Sequence, residues 1–141
     1  MRNFFILLLV SIPALFLNCN HSPVPKSSGT AATDTGTAKI IFTEYEHLFG
    51  KVTEGEKLSC VFRFKNEGTG SLVIAAATAS CGCTIPKYDR KPIAPGESGS
   101  IEVVFDTSGK SGMQTKTITV RSNAKPPVTL LRIKAEVSEG N

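Results

Sequence analysis

The sequence predicts an all-β protein, a single immunoglobulin-like antiparallel β-sandwich of about seven strands over residues 38–138. Three observations predict it. From Ala38 onward, short runs that alternate apolar and polar residues are each closed by a cluster of Gly, Pro, Asn, Asp or Ser. No segment longer than about ten residues sustains a helical hydrophobic period. The stretch is about a hundred residues long, the size at which one two-sheet sandwich closes a core. Trp is absent, so the Cys-Trp-Cys core of antibody domains is not expected.

The elements follow in order. Lys39 to Thr43 opens the domain with Ile40, Ile41 and Phe42, and His47-Leu48-Phe49-Gly50 continues it before a turn at Thr53-Glu54-Gly55-Glu56. The next strand has the clearest alternation. Leu58, Cys60, Phe62 and Phe64 share one face and Ser59, Val61, Arg63 and Lys65 the other, so a period of two sends the first set into the core. Asn66 to Gly70 is a turn, and Ser71 to Ala79 is a strand of small and β-branched residues. Ala94 to Gly99 turns into a strand carrying Ile101, Val103 and Phe105, and Asp106 to Gly112 is a glycine-rich turn. A Thr-rich strand, Gln114 to Arg121, places Ile118 and Val120 together. Ser122 to Pro127 is a loop whose two prolines keep it out of a sheet interior. Thr129, Leu131, Ile133, Ala135 and Val137 form the inward row of the last strand.

Ahead of the domain the composition changes twice. Arg2 precedes an almost unbroken apolar run from Phe4 to Leu17. As a helix this run is about 21 Å long, short of the roughly 30 Å hydrocarbon core, so it reads as a signal segment over residues 1–18 rather than a membrane span. The run closes on Leu15-Phe16-Leu17-Asn18-Cys19, which resembles the lipobox of bacterial lipoproteins, with Asn18 where a small residue is usual. The resemblance implies that Cys19 is acylated, with palmitate-type chains, and becomes the first residue of the mature protein. Residues 19–37 are rich in Ser, Thr, Pro, Gly and Ala. They cannot bury enough surface to offset their ordering entropy and are expected to form a flexible tether. His21 belongs to that tether.

Charge excludes one class of partner. The net charge is +4, but no block of five or six basic residues exists, and Arg63, Lys65, Lys87, Arg90, Lys91, Lys116 and Arg132 are dispersed. Nucleic acid is therefore not an expected partner. Catalytic inventories fail too. His47 is the one histidine of the domain, beside apolar Leu48 and Phe49, and supports no Ser-His-Asp arrangement. Gly109-Lys110-Ser111 has the end of a phosphate loop, but Val104 stands where its first glycine belongs. Glu54, Glu56, Glu97 and Glu102 lie scattered and form no calcium loop.

Several segments in one order carry a family resemblance. They are Phe62 to Gly68, Ser80-Cys81-Gly82-Cys83-Thr84, Pro92 to Glu97, Val104 to Lys110 and Thr117 to Asn123. Together they resemble the bacterial family named domain of unknown function 1573, which is similar to Hydin-like and major-sperm-protein-like immunoglobulin sandwiches. The resemblance runs from about Phe49 to Val137. It implies the fold and a location in the envelope, and it implies no activity.

Cys81-Gly82-Cys83 is the one site-like constellation. Thiols at i and i+2 of an extended chain point to opposite faces, but a positive φ at Gly82 turns both to one side. Such a turn could chelate Cu(I) or Zn(II), or cycle between dithiol and disulfide. A full zinc site needs about four ligands, and the domain holds no second cysteine pair. With Cys19 carrying lipid, Cys60, Cys81 and Cys83 remain, an odd number in an oxidising compartment. Cys60 is expected as a buried free thiol, although a bridge from it to Cys81 or Cys83 stays open. The expected function is a non-enzymatic interaction module, lipid-anchored in the bacterial cell envelope at the outer membrane or periplasmic face. Its expected partners are the membrane, through the lipid, and an envelope protein that pairs with loops or with an open sheet edge. No cofactor is expected. The alternative is a copper- or zinc-binding or thiol-redox protein acting through Cys81 and Cys83.

Overall fold

The computed structural model describes residues 36–140. The signal segment, Cys19 and most of the tether lie outside the described residues. Every regular element among the described residues is a strand: β1 (Ile40–Phe42), β2 (Glu46–Thr53), β3 (Lys57–Asn66), β4 (Ile74–Ala79), β5 (Thr84–Tyr88), β6 (Ser98–Asp106), β7 (Gly112–Ser122) and β8 (Val128–Ser138). They form two four-stranded sheets, β1-β3-β6-β5 and β2-β8-β7-β4. This is the expected all-β sandwich.

The core lies between the inward rows of these sheets. In the first, Phe62 pairs with Ile101, Cys60 with Val103 and Leu58 with Phe105. Cys60, Phe62, Phe64, Ile101, Val103 and Phe105 are buried, while Ser59, Val61, Arg63 and Lys65 are exposed, as the alternation requires. In the second sheet Ile118, Val120, Leu131, Ile133, Ala135 and Val137 are buried. Each large apolar side chain so placed contributes roughly 1.5–3 kcal/mol. Gly99 pairs with Phe64, and a Cβ there would run into the Phe64 ring.

Three features differ from the sequence expectation. The strands number eight, partly because the first strand divides. The chain leaves the first sheet after Thr43, whose amide still donates to Arg63 O at 2.9 Å, and joins the second at Glu46. Tyr45 holds this corner. Its ring meets Phe42 at 5.7 Å and its carbonyl accepts from the Arg132 amide at 2.9 Å. The divided strand brings the second difference. β2 runs parallel to β8, whereas every other strand pairing is antiparallel. A bulge at Phe49, with Gly50 at φ 75°, lets β2 keep register with β8. The third difference is β5, which the alternation hides. Its polar Thr84 is buried and its apolar Ile85 is 56% exposed.

Polar side chains pin the loops. Asn66 is fully buried, and its amide nitrogen donates to Gly70 O (2.8 Å) and Ile93 O (3.0 Å). Its Oδ1 accepts from the amides of Gly68 (3.0 Å) and Lys39 (3.3 Å). Thr37, expected as the last tether residue, is already bound to the domain, because its carbonyl accepts from the Thr69 amide at 2.9 Å. Gly68 makes that approach possible, since a Cβ there would strike the backbone of Thr37 and Lys39. Among the described residues no buried side-chain nitrogen or oxygen lacks a hydrogen-bond partner.

Candidate thiol site

The segment between β4 and β5 carries the chain from the second sheet to the first. Backbone bonds hold it at each step. The Ser80 amide donates to Thr117 O at 2.9 Å, and the Thr117 amide donates to Ser80 Oγ at 3.2 Å. The Thr84 amide turns back to Cys81 O at 3.2 Å, and the Asp106 amide donates to Cys83 O at 2.9 Å. Between these anchors Cys81 and Cys83 form a disulfide, with Cα atoms 5.3 Å apart. Both residues are half-buried, and Cys83 packs against the core.

This resolves the cysteine arithmetic. Cys60 is free and buried, as expected, and bridges neither partner. Burial, aided by the charge of Glu44, pushes its thiol up to about 11. At neutral pH it is neither a nucleophile nor a ready metal ligand. One expectation is corrected: Gly82 does not occupy the left-handed region, and a Cβ there would meet nothing within 4 Å. The turn reaches disulfide geometry without a left-handed glycine.

The surroundings of the pair contain residues that sequence reasoning missed. The buried Thr84 hydroxyl lies 3.6 Å from Cys81 Sγ and 4.0 Å from Cys83 Sγ. Beside Cys83 is a groove of about 350 Å³ whose walls include Ile85, Val104, Lys57 and Asp106. The Ser108 hydroxyl and amide hold the Asp106 carboxyl below its ordinary value. Lys116 lies in the inward row of β7, with its ammonium 5.7 Å from the centre of the Phe105 ring and donating to Gln114 Oε1 at 3.0 Å. A polar residue directly after a cysteine pair, as Thr84 is, was the one signal available in the sequence.

A bridge between residues two apart constrains the unfolded chain little. In the chain-entropy picture it contributes roughly 1.5 kcal/mol, against about 3 for a fifteen-residue loop. The disulfide is therefore a weak staple. Metal chemistry is no better supplied. Among the described residues, no three His, Cys, Asp or Glu side chains come together, so an ion on this pair would need further ligands from elsewhere.

The other candidates take structural places. His47 packs edge-on to Phe49 at 4.8 Å, with Nδ1 3.3 Å from Glu44 Oε1. The Glu54 carboxylate accepts from the Gly109 amide at 3.0 Å, and Lys110 closes a turn by donating its amide to Thr107 O at 3.0 Å.

Two facing four-stranded sheets with a first strand split between them define an immunoglobulin-like β-sandwich. Residues 40–137 match the family described as protein of unknown function (DUF1573), and the chain belongs to that family. No curated protein sequence matches it. A protein of unknown function from Porphyromonas gingivalis W83 superposes with a TM-score of 0.61 at 21% identity, covering 79% of this chain and 51% of that one. The chain thus spans about half the length of that protein. The ASH / PapD-like domain 7 of human CEP192 gives a TM-score of 0.57 at 12% identity, covering 74% of this chain and 89% of that domain. The YadV chaperone gives 0.54 at 12% identity, covering 72% and 54%. At such identities the likeness shows the fold alone.

Proposed function

We propose that the chain is a lipid-anchored protein of the bacterial cell envelope whose sandwich serves as a binding module, without hydrolytic or group-transfer chemistry. The apolar run closing on Cys19 supports the anchor. The binding half rests on one observation, the outer face of β2, β8 and β7. There Leu48 and Met113 are 66% and 70% exposed and line a common groove of about 230 Å³ with Lys51 and Lys134. Exposed apolar side chains rimmed by charge suit a protein partner.

Pairing through an edge of the first sheet is the weaker mode. The Asp106 bond to Cys83 O sets the alternation of β5, so the backbone amides and carbonyls of 83, 85 and 87 are turned to β6 while those of 84, 86 and 88 are turned to the open edge. Of these, the Thr84 amide is spent on Cys81 O and Pro86 has none. β1 is three residues long, and its Phe42 amide is taken by the Tyr45 hydroxyl at 3.4 Å. Both edges of the first sheet are blunted.

The test joins two measurements. Fatty acid label should enter the wild-type protein and not Cys19→Ser, which should leave the membrane fraction or persist as precursor. Leu48→Glu with Met113→Glu should keep the melting temperature and lose the envelope protein that co-purifies with wild type. A wild-type protein that takes no label refutes the anchor, and a pull-down indifferent to the double change refutes the face.

A further inference from the structure

The Cys81–Cys83 bond lacks the features of a structural crosslink. Both its ends belong to one turn, at a sequence separation of 2, and ties no two strands that backbone bonds do not already tie. Its two sulfurs are also unequal. Cys83 lines the groove with Ile85 and Val104 while also packing against the core, and the Thr84 hydroxyl lies nearer Cys81 Sγ, at 3.6 Å, than Cys83 Sγ, at 4.0 Å. The domain's remaining cysteine, Cys60, is buried between the sheets and does not compete for either sulfur.

We propose that Cys81–Cys83 is an exchangeable disulfide that accepts two electrons from a dithiol of a second protein, with Cys83 the sulfur attacked. This rests on neither the lipid anchor nor the Leu48 face. A thiolate of the partner enters the groove and attacks Cys83 Sγ. A sulfur–sulfur bond forms between partner and Cys83 as the Cys81–Cys83 bond breaks, and the electron pair leaves on Cys81 Sγ. The Thr84 hydroxyl is placed to donate a hydrogen bond to that thiolate. The partner's second thiolate then attacks the partner sulfur of the mixed disulfide and releases Cys83 as a thiolate. The partner dithiol is oxidised to a disulfide, the pair is reduced to two thiols, and two protons pass through water from the partner's thiols to the pair. The apolar Ile85 and Val104, with Lys57 and Asp106 nearby, fit a peptide segment that carries an apolar residue beside its cysteine.

The experiment uses the full chain in detergent, with dithiothreitol as the dithiol probe and thiol-specific mass tags as the readout. Without denaturant, two thiols should appear, the melting temperature should shift by only a few degrees, and Cys60 should stay untagged. In Cys81→Ser the remaining Cys83 should form a mixed disulfide with oxidised glutathione faster than Cys81 does in Cys83→Ser. Thr84→Val should slow reduction of the wild-type bond several-fold at unchanged melting temperature. A bond reduced only when the domain unfolds, a fold that collapses on reduction, or a Cys81 more reactive than Cys83 would each overturn the proposal. Should a single-cysteine variant fail to fold, the wild-type reduction and its melting temperature still decide. Neither result depends on binding through Leu48, and a Cys19 thiol without fatty acid is tagged before dithiothreitol is added and so is counted apart from the two that reduction releases.

Discussion

The two ends of the sandwich are built differently. At one end, loops are fastened by asparagine side chains that both donate to and accept from the backbone. Asn66 makes four hydrogen bonds to backbone. Asn123 joins the Val73 amide (2.8 Å) to the Ser71 carbonyl (2.8 Å). At the other end, more exposed side chains such as Glu54 and Ser80 each take a single amide, and the buried polar fastener is the Thr107 hydroxyl, within 3.0 Å of Thr53 O and 2.9 Å of Glu56 O. The cysteine turn beside it is carried by backbone bonds from Ser80, Thr84 and Asp106. The difference separates residues a fold consumes from residues it leaves for other work. Most segments that carry the family resemblance, including Asn66 to Gly68, Asp106 to Gly109 and Asn123, fall in the first class. Cys81 and Cys83 fall in the second.

The largest effect should come from the consumed class. Asn66→Ala strips partners from four buried or half-buried backbone groups and should cost about 4 kcal/mol, read from the denaturant midpoint. A loss below about 1 kcal/mol would mean that water replaces the side chain and that this end is not pinned as described. Thr107→Val keeps shape but removes the hydroxyl, and about 1–2 kcal/mol should go by the same measurement. A neutral result would leave the cysteine end held mainly by backbone bonds, which would sharpen the contrast. Gly82→Ala should stay within about 0.5 kcal/mol, because its backbone is not left-handed and nothing stands near a Cβ. A melting temperature that falls as far as for Thr107→Val would place Gly82 among the structural residues.

What the chain disclosed in advance follows from the same division. β3, β6, β7 and β8 were legible because one face of each is buried and the other wet, which writes a period of two into the residues. β5 was not, since Thr84 points in, Ile85 points out and Pro86 follows them. The parallel pairing of β2 was equally hidden, because alternation reports which face is buried and not which strand lies alongside. At the site, the two sulfurs were visible by residue type. Their pairing was not, because spacing cannot choose among three thiols, and the positive φ considered for Gly82 was not needed, since residue type alone does not fix a backbone angle.

The sheets also differ in when they can exist. The first draws on β1, β3, β5 and β6, all complete by Asp106, whereas the second needs β7 and β8 and so extends to Ser138. β8 is an interior strand, flanked by β2 and β7, and its parallel register joins Glu46 to Arg132. A chain delivered from its N-terminus therefore carries the first layer's strands, with one bare apolar face, until β8 arrives. During that interval Phe62, Ile101 and Phe105 have nothing to cover them. Closure waits on the most distant contacts in the sequence, a topology that folds slowly, and the interval is when a chaperone would find the chain and when aggregation would compete with folding.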